Sequence, residues 1–257
     1  MSGFAQGSRL ARRQVASPNF GRRLADIDMI VLHYTGCSSA EAALLWMCSP
    51  DSQVSAHYLV DEDGEIVQLV DEGARAWHAG VAHWAGVDDI NSCSIGIEID
   101  NFGHELNPLP PYPDKQIQAL EELCGDIMAR HGIAAHRVIG HSDVAPARKS
   151  DPGEHFPWER LARAGIGAWV EAAGGEEGKA GKVVARPGDE GEVVRRVQDD
   201  LRRLGYGLEA SGVFDERTEA VVRAFQRHWR QGRVDGVADE GTLRVLSALL
   251  DSLVKVA

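Results

Sequence analysis

The chain has 257 residues, enough for one large domain plus one small one, and its 44% hydrophobic and 26% charged content excludes a disordered or fibrous protein. Its 39 acidic against 27 basic residues give a net charge of −12, which repels nucleic-acid phosphate and argues against a nucleic-acid partner. No apolar run reaches the roughly 20 residues needed to span a bilayer, and residues 1–20 carry no apolar segment behind Arg9, Arg12 and Arg13, so neither an integral membrane segment nor a conventional export signal is expected.

In chain order, residues 1 to about 25 read as a polar arm broken by Pro18 and Gly21. Ile27 to Tyr34 is rich in branched apolar residues and suits a strand buried on both faces. Ala40 to Met47 favours helix. Ser55 to Val60 and Glu65 to Val70 read as strands joined by a turn at Asp61-Glu62-Asp63-Gly64. Ser94 to Ile99 alternates, with Ile95, Ile97 and Ile99 on one side and Gly96 and Glu98 on the other. After a proline-rich loop, Asp114 to His131 has helical spacing, and Gly132 is placed to stop it. Arg137 to Gly140 reads as a short strand, His141 to Pro157 as a loop, and Trp158 to Glu171 as a closing helix. The expected fold class is α/β, with a mixed central sheet flanked by helices. Ala172 to Gly191 is glycine-rich and reads as a linker. From Glu192 on, three amphipathic stripes separated by Gly205, by Gly212-Val213-Phe214-Asp215 and by Asp235-Gly236 predict a small three-helix domain. The expected division is therefore 1–171, a linker at 172–191, and 192–257. Cys37, Cys48, Cys93 and Cys124 are widely spaced, match no Cys-rich metal pattern, and are expected as reduced thiols.

Several ionisable residues fall at strand ends or in the loops that follow: His33, Glu98, His141, Lys149 and Asp151. Two imidazoles and a carboxylate are a standard ligand set for a hydrolytic zinc, which keeps a fourth position for water, although the same donors also suit other divalent metals.

The ordered segments His33-Tyr34-Thr35, Ser94-Ile95-Gly96-Ile97-Glu98-Ile99, Gly140-His141-Ser142-Asp143, Arg148-Lys149-Ser150-Asp151-Pro152-Gly153 and Phe156-Pro157-Trp158 resemble the N-acetylmuramoyl-L-alanine amidase family, which shares its fold with phage lysozyme-type amidases and animal peptidoglycan recognition proteins. Val54 to Tyr58 and Ala76 to Gly80 fit as well, and the resemblance spans roughly Ser17 to Glu171. It implies that His33, His141 and Asp151 hold Zn2+, that Glu98 is the general base and that Lys149 stabilises the oxyanion. The bond cut would join the lactyl group of the muramic sugar to L-alanine of the stem peptide. His57 and His78 either line the substrate cleft or merely pack within it. Trp77 is either a sugar platform or core. Arg148 either meets a stem-peptide carboxylate or is solvated. Asp143 either orients a ligand histidine or caps a turn.

The tail resembles the three-helix peptidoglycan-binding domain attached to many wall hydrolases, through Val197 to Tyr206, Gly212 to Asp215, Thr218, Ala224-Phe225-Gln226 and Asp235-Gly236. That implies peptidoglycan or muropeptides as partner. A tethered binder favours a polymer and hence the cell envelope or periplasm, while the missing signal peptide is compatible with the cytoplasm. The oligomeric state is not legible. Two alternatives stand beside the amidase: a non-catalytic peptidoglycan-recognition protein, and a zinc peptidase cutting within the stem peptide. The second usually carries a His-x-His pair, which is absent here.

Overall fold

The N-terminal arm contributes two short strands, β1 (Arg13–Gln14) and β2 (Phe20–Arg22), where the sequence shows no strand pattern. A computed structural model describes residues 4–171, 179 and 181–254 of the chain. Along the first unit follow β3 (Met29–Tyr34), α1 (Ala40–Met47), β4 (Tyr58–Val60), β5 (Ile66–Gln68), β6 (Ala74–Ala76), α2 (Ile90–Cys93), β7 (Ser94–Ile99), α3 (Asp114–His131), β8 (Val138–Gly140), α4 (His141–Val144) and α5 (Trp158–Arg163).

Six strands form one mixed sheet in the order β1-β5-β4-β7-β3-β8. The four neighbouring strands β4, β7, β3 and β8 run parallel, β8 at the edge, with His33 opposite Glu98 and Leu32 opposite Gly140. β2 and β6 form a separate antiparallel ribbon. The alternation expected from the sequence decides what each face meets. Ile30, Leu32, Ile95, Ile97 and Ile99 pack against Ile117, Leu120, Leu123 and Ile127 of α3. Met29 and Val31 point the other way, into a cluster completed by residues beyond 190. His33, Gly96 and Glu98 fall on that second face, and His33 and Glu98 lie at the carboxyl ends of their strands, where open α/β sheets place ligands.

Three expectations need correcting. The closing helix ends at Arg163, not Glu171, because Gly165 adopts φ 81° and turns the chain back. The region expected as loop after Gly140 opens with the one-turn helix α4. The linker is only partly loop. Residues 172–178 and 180 lie outside the described residues, but β9 (Val183–Ala185) pairs antiparallel with β10 (Ala238–Asp239).

The tail contains α6 (Glu192–Leu204), α7 (Glu216–Trp229) and α8 (Glu240–Val254), as the three stripes predict. Its buried residues Val194, Val197, Leu201, Tyr206, Phe225, Trp229 and Leu246 belong to the same apolar cluster as Met29, Val31, Trp84, Ile139 and Val144. The tail is thus docked on the back of the sheet and does not hang from a free tether.

Candidate active site

The parallel pairing of β3 with β7 sets His33 beside Glu98, and β8 delivers His141 one residue past its last strand residue. The loop after α4 brings back Asp151, and Ser142 N donates to the Asp151 carbonyl at 2.9 Å, tying that loop to the helix. All three side chains are buried and converge. His33 Nδ1 lies 2.9 Å from His141 Nδ1 and 3.1 Å from Asp151 Oδ2, and His141 Nδ1 lies 3.0 Å from Asp151 Oδ2.

Hydrogen bonding behind these atoms assigns their protons. Ser94 Oγ donates to the Ile90 carbonyl at 2.6 Å, so it accepts from His78 Nε2 at 3.2 Å. His78 Nδ1 therefore accepts from His33 Nε2 at 3.1 Å, which leaves the His33 Nδ1 lone pair bare. His141 Nε2 donates to the Ala79 carbonyl at 3.1 Å, which bares its Nδ1 as well. Two imidazole lone pairs and a carboxylate oxygen thus aim at one point. Such a set repels itself unless a cation lies between, and the triangle's edges suit one about 2.0–2.2 Å from each donor. Among the described residues this is the group of His, Cys, Asp and Glu that could hold a metal ion.

The electrostatics agree. Burial, then His141, lowers the His33 pKa to about 4, so the ring is neutral and free to ligate. Burial works against an ionised Asp151, but His141 and His33 outweigh it and hold its pKa below the ordinary carboxylate range. Glu98 is pushed the other way, well above its usual value, first by burial and then by Asp151, with Lys149 opposing. Glu98 Oε2 is buried without a hydrogen-bond partner, as a group reserved for a reacting proton would be.

These residues line an open cleft of about 400 Å³. Lys149, Arg148, Trp77 and His78 also line it. One amino nitrogen of Arg148 donates to the carbonyls of Ala79 (3.0 Å) and Val81 (2.5 Å), so the fork expected to meet a carboxylate is partly spent on the backbone. His78 is buried and supports His33. His57 is not brought into the cleft: it is fully buried, its Nδ1 accepting from Gly96 N at 3.0 Å and its Nε2 facing the Ala74 carbonyl at 3.2 Å. Burial, then Arg23, lowers its pKa to about 3, so it serves as a neutral strand tie. Gly96 has no side chain because the His78 ring lies on it, and a β-carbon there would overlap the ring.

Trp46 also lines the cleft and is more than half exposed, at 57%. In the sequence it reads only as part of an apolar helix. The usable signal is its place beside Leu45 on the flank of α1 opposite the buried Ala43, Leu44 and Met47.

Residues 23–154 match the family model described as N-acetylmuramoyl-L-alanine amidase, and residues 190–246 match a putative peptidoglycan binding domain. The chain is 37% identical to N-acetylmuramoyl-L-alanine amidase AmiD of Escherichia coli K12, over 96% of this chain and 89% of that protein. The solved complex of E. coli AmiD with anhydro-N-acetylmuramic acid-L-Ala-D-gamma-Glu-L-Lys superposes with a TM-score of 0.75 at 35% identity, covering 94% of this chain and 93% of that one. AmpDh3 from Pseudomonas aeruginosa, solved with an anhydromuramic pentapeptide, gives a TM-score of 0.71 at 31% identity, covering 97% and 99%.

Proposed function

This chain belongs to the N-acetylmuramoyl-L-alanine amidase family, and from that footing we propose how its cleft does the work. The enzyme hydrolyses the amide between the lactyl group of N-acetylmuramic acid and L-alanine of the stem peptide.

We propose that His33 Nδ1, His141 Nδ1 and Asp151 hold Zn2+. The carrying observation is the convergence of three bare acceptors within 3.1 Å of one another. Bound there, zinc supplies Lewis acidity and a water nucleophile at neutral pH. Glu98, beside His33 on the neighbouring strand, accepts the proton of the attacking water and passes it to the leaving nitrogen, work typically worth ~10²–10⁴-fold. Lys149 offsets negative charge developing on the scissile carbonyl oxygen; losing such a group commonly costs ~10²–10³-fold. Trp77, and the exposed Trp46 with it, offers an apolar wall to the sugar.

Residues 1–171 form the catalytic unit, 172–191 the connection and 192–257 the wall-binding unit. The matches at 23–154 and 190–246 support this division. The substrates are peptidoglycan strands and their anhydro-ended fragments. The openness of the cleft supports this breadth, as do the anhydromuropeptide complexes of the two relatives and the peptidoglycan-binding match in the tail. Its place of action is the cell envelope. No helix among the described residues is long and apolar enough to cross a membrane.

The test incubates purified protein with isolated sacculi and with soluble anhydromuropeptides, and scores new L-alanine amino ends by mass spectrometry. Both substrates should be cut. Glu98→Ala should retain zinc and lose activity at least 100-fold, within the range for a positioned acid–base group. Wild-type activity in that variant, or cleavage between stem residues, would overturn the assignment.

A further inference from the structure

The short helix that carries His141 is held from outside the catalytic unit. Asp143, fully buried in α4, spends both carboxylate oxygens. Its Oδ2 accepts from Gly140 N at 2.8 Å, just ahead of the metal ligand. Its remaining partners come from the tail: Tyr206 Oη donates to Oδ1 at 2.8 Å, and His228 Nδ1 donates to Oδ2 at 2.7 Å. The His228 ring is clamped between Trp158 of the catalytic unit and Trp229 of the tail, with centroids 3.7 Å from each. Its Nε2 is buried with no partner. Nδ1 thus donates to the carboxylate, while Nε2 is left without a partner on a ring held between two indoles. Neither solvent nor a surface role explains such an arrangement.

We propose that the tail has a second task besides wall binding: through Tyr206, His228 and Asp143 it positions α4, so that His141 Nδ1 and the Asp151 loop stay aimed at the metal point. Both routes run through α4. His141 is its first residue, and Ser142 N grips the Asp151 carbonyl. α7 packs directly on α4. Tyr206 and His228 are positioning residues that act through Asp143. Groups behind a metal ligand commonly change metal affinity ~10–100-fold when removed.

The proposal rests on His33, His141 and Asp151 being a metal site. The full chain is loaded with cobalt(II), affinity is read by chelator competition, and ligand geometry by the visible cobalt bands. Tyr206→Phe and His228→Leu should each weaken cobalt binding about 10-fold, shift the bands, and lower kcat with little change in KM. His228→Asn keeps an N–H donor near the Nδ1 position and should recover most of the affinity. Leu201→Ala trims a buried apolar side chain of α6 and leaves in place every hydrogen bond to Asp143 as well as the Leu201 carbonyl that accepts from Tyr206 N, so it should lower the melting temperature while leaving cobalt affinity within about twofold. Wild-type affinity and spectrum in both Tyr206→Phe and His228→Leu would overturn the proposal. So would an equal loss in Leu201→Ala, which would reduce the effect to general stability. If His228→Leu does not fold, Tyr206→Phe, lacking one hydroxyl, decides alone. A wild-type protein that binds no cobalt would sink the metal reading itself, and this proposal with it.

Discussion

At Gly96 the chain leaves room for one ring, and the consequences reach the catalytic atoms. His78 occupies that room, accepts from His33 Nε2, and so bares His33 Nδ1. Gly96→Ala should push His78 out, release the His33 tautomer, and lower both bound zinc and kcat at least tenfold. Metal analysis beside steady-state kinetics checks this, and unchanged zinc content would refute it. His33, Glu98, His141 and Asp151 could be found in the sequence because each sits in a distinctive run at a strand end, and strand alternation already set Glu98 apart from Ile97 and Ile99. The roles of His78 and His57 could not be separated there. Both are histidines near the same strand, and only the register of β4 and β7 shows which ring backs a ligand and which ties two strands.

Element by element, the sheet and α3 were readable because their apolar periods are unbroken, while β1, β2 and β9 are two or three residues long and depend on partners far away. α3 is also anchored by charge. Glu72, buried, accepts from Tyr58 and Arg130 and lies 2.7 Å from His131 Nε2. Burial alone would raise its pKa, but Arg130, Tyr58 and His131 outweigh it and bring it to about 2 from 4.5. A folded pKa below the unfolded one gives stability that is fully present above pH 4.5 and is lost as pH falls towards 2. Melting temperature followed from pH 6 to about 2 should therefore drop more steeply in the wild type than in Glu72→Gln. Parallel acid limbs would show that this carboxylate is not the linked group.

For the molecule as a whole, one apolar cluster runs from β3 and β8 into α6, α7 and α8, so the two units share a core. Residues that share a core unfold together. Calorimetry should give a single transition, and two well-separated peaks would mean that the tail melts on its own. This docking was beyond the sequence, because its contacts join residues 63 and 85 positions apart, whereas an amphipathic stripe shows that a helix buries a face without showing what it buries it against. Because α4 is gripped from both ends, the coupling is reciprocal: whatever steadies the metal point must also steady the clasp around Asp143. Zinc loading should then slow protease nicking near Tyr206, more than 50 residues along the chain from any ligand, and stripping the ion should hasten it.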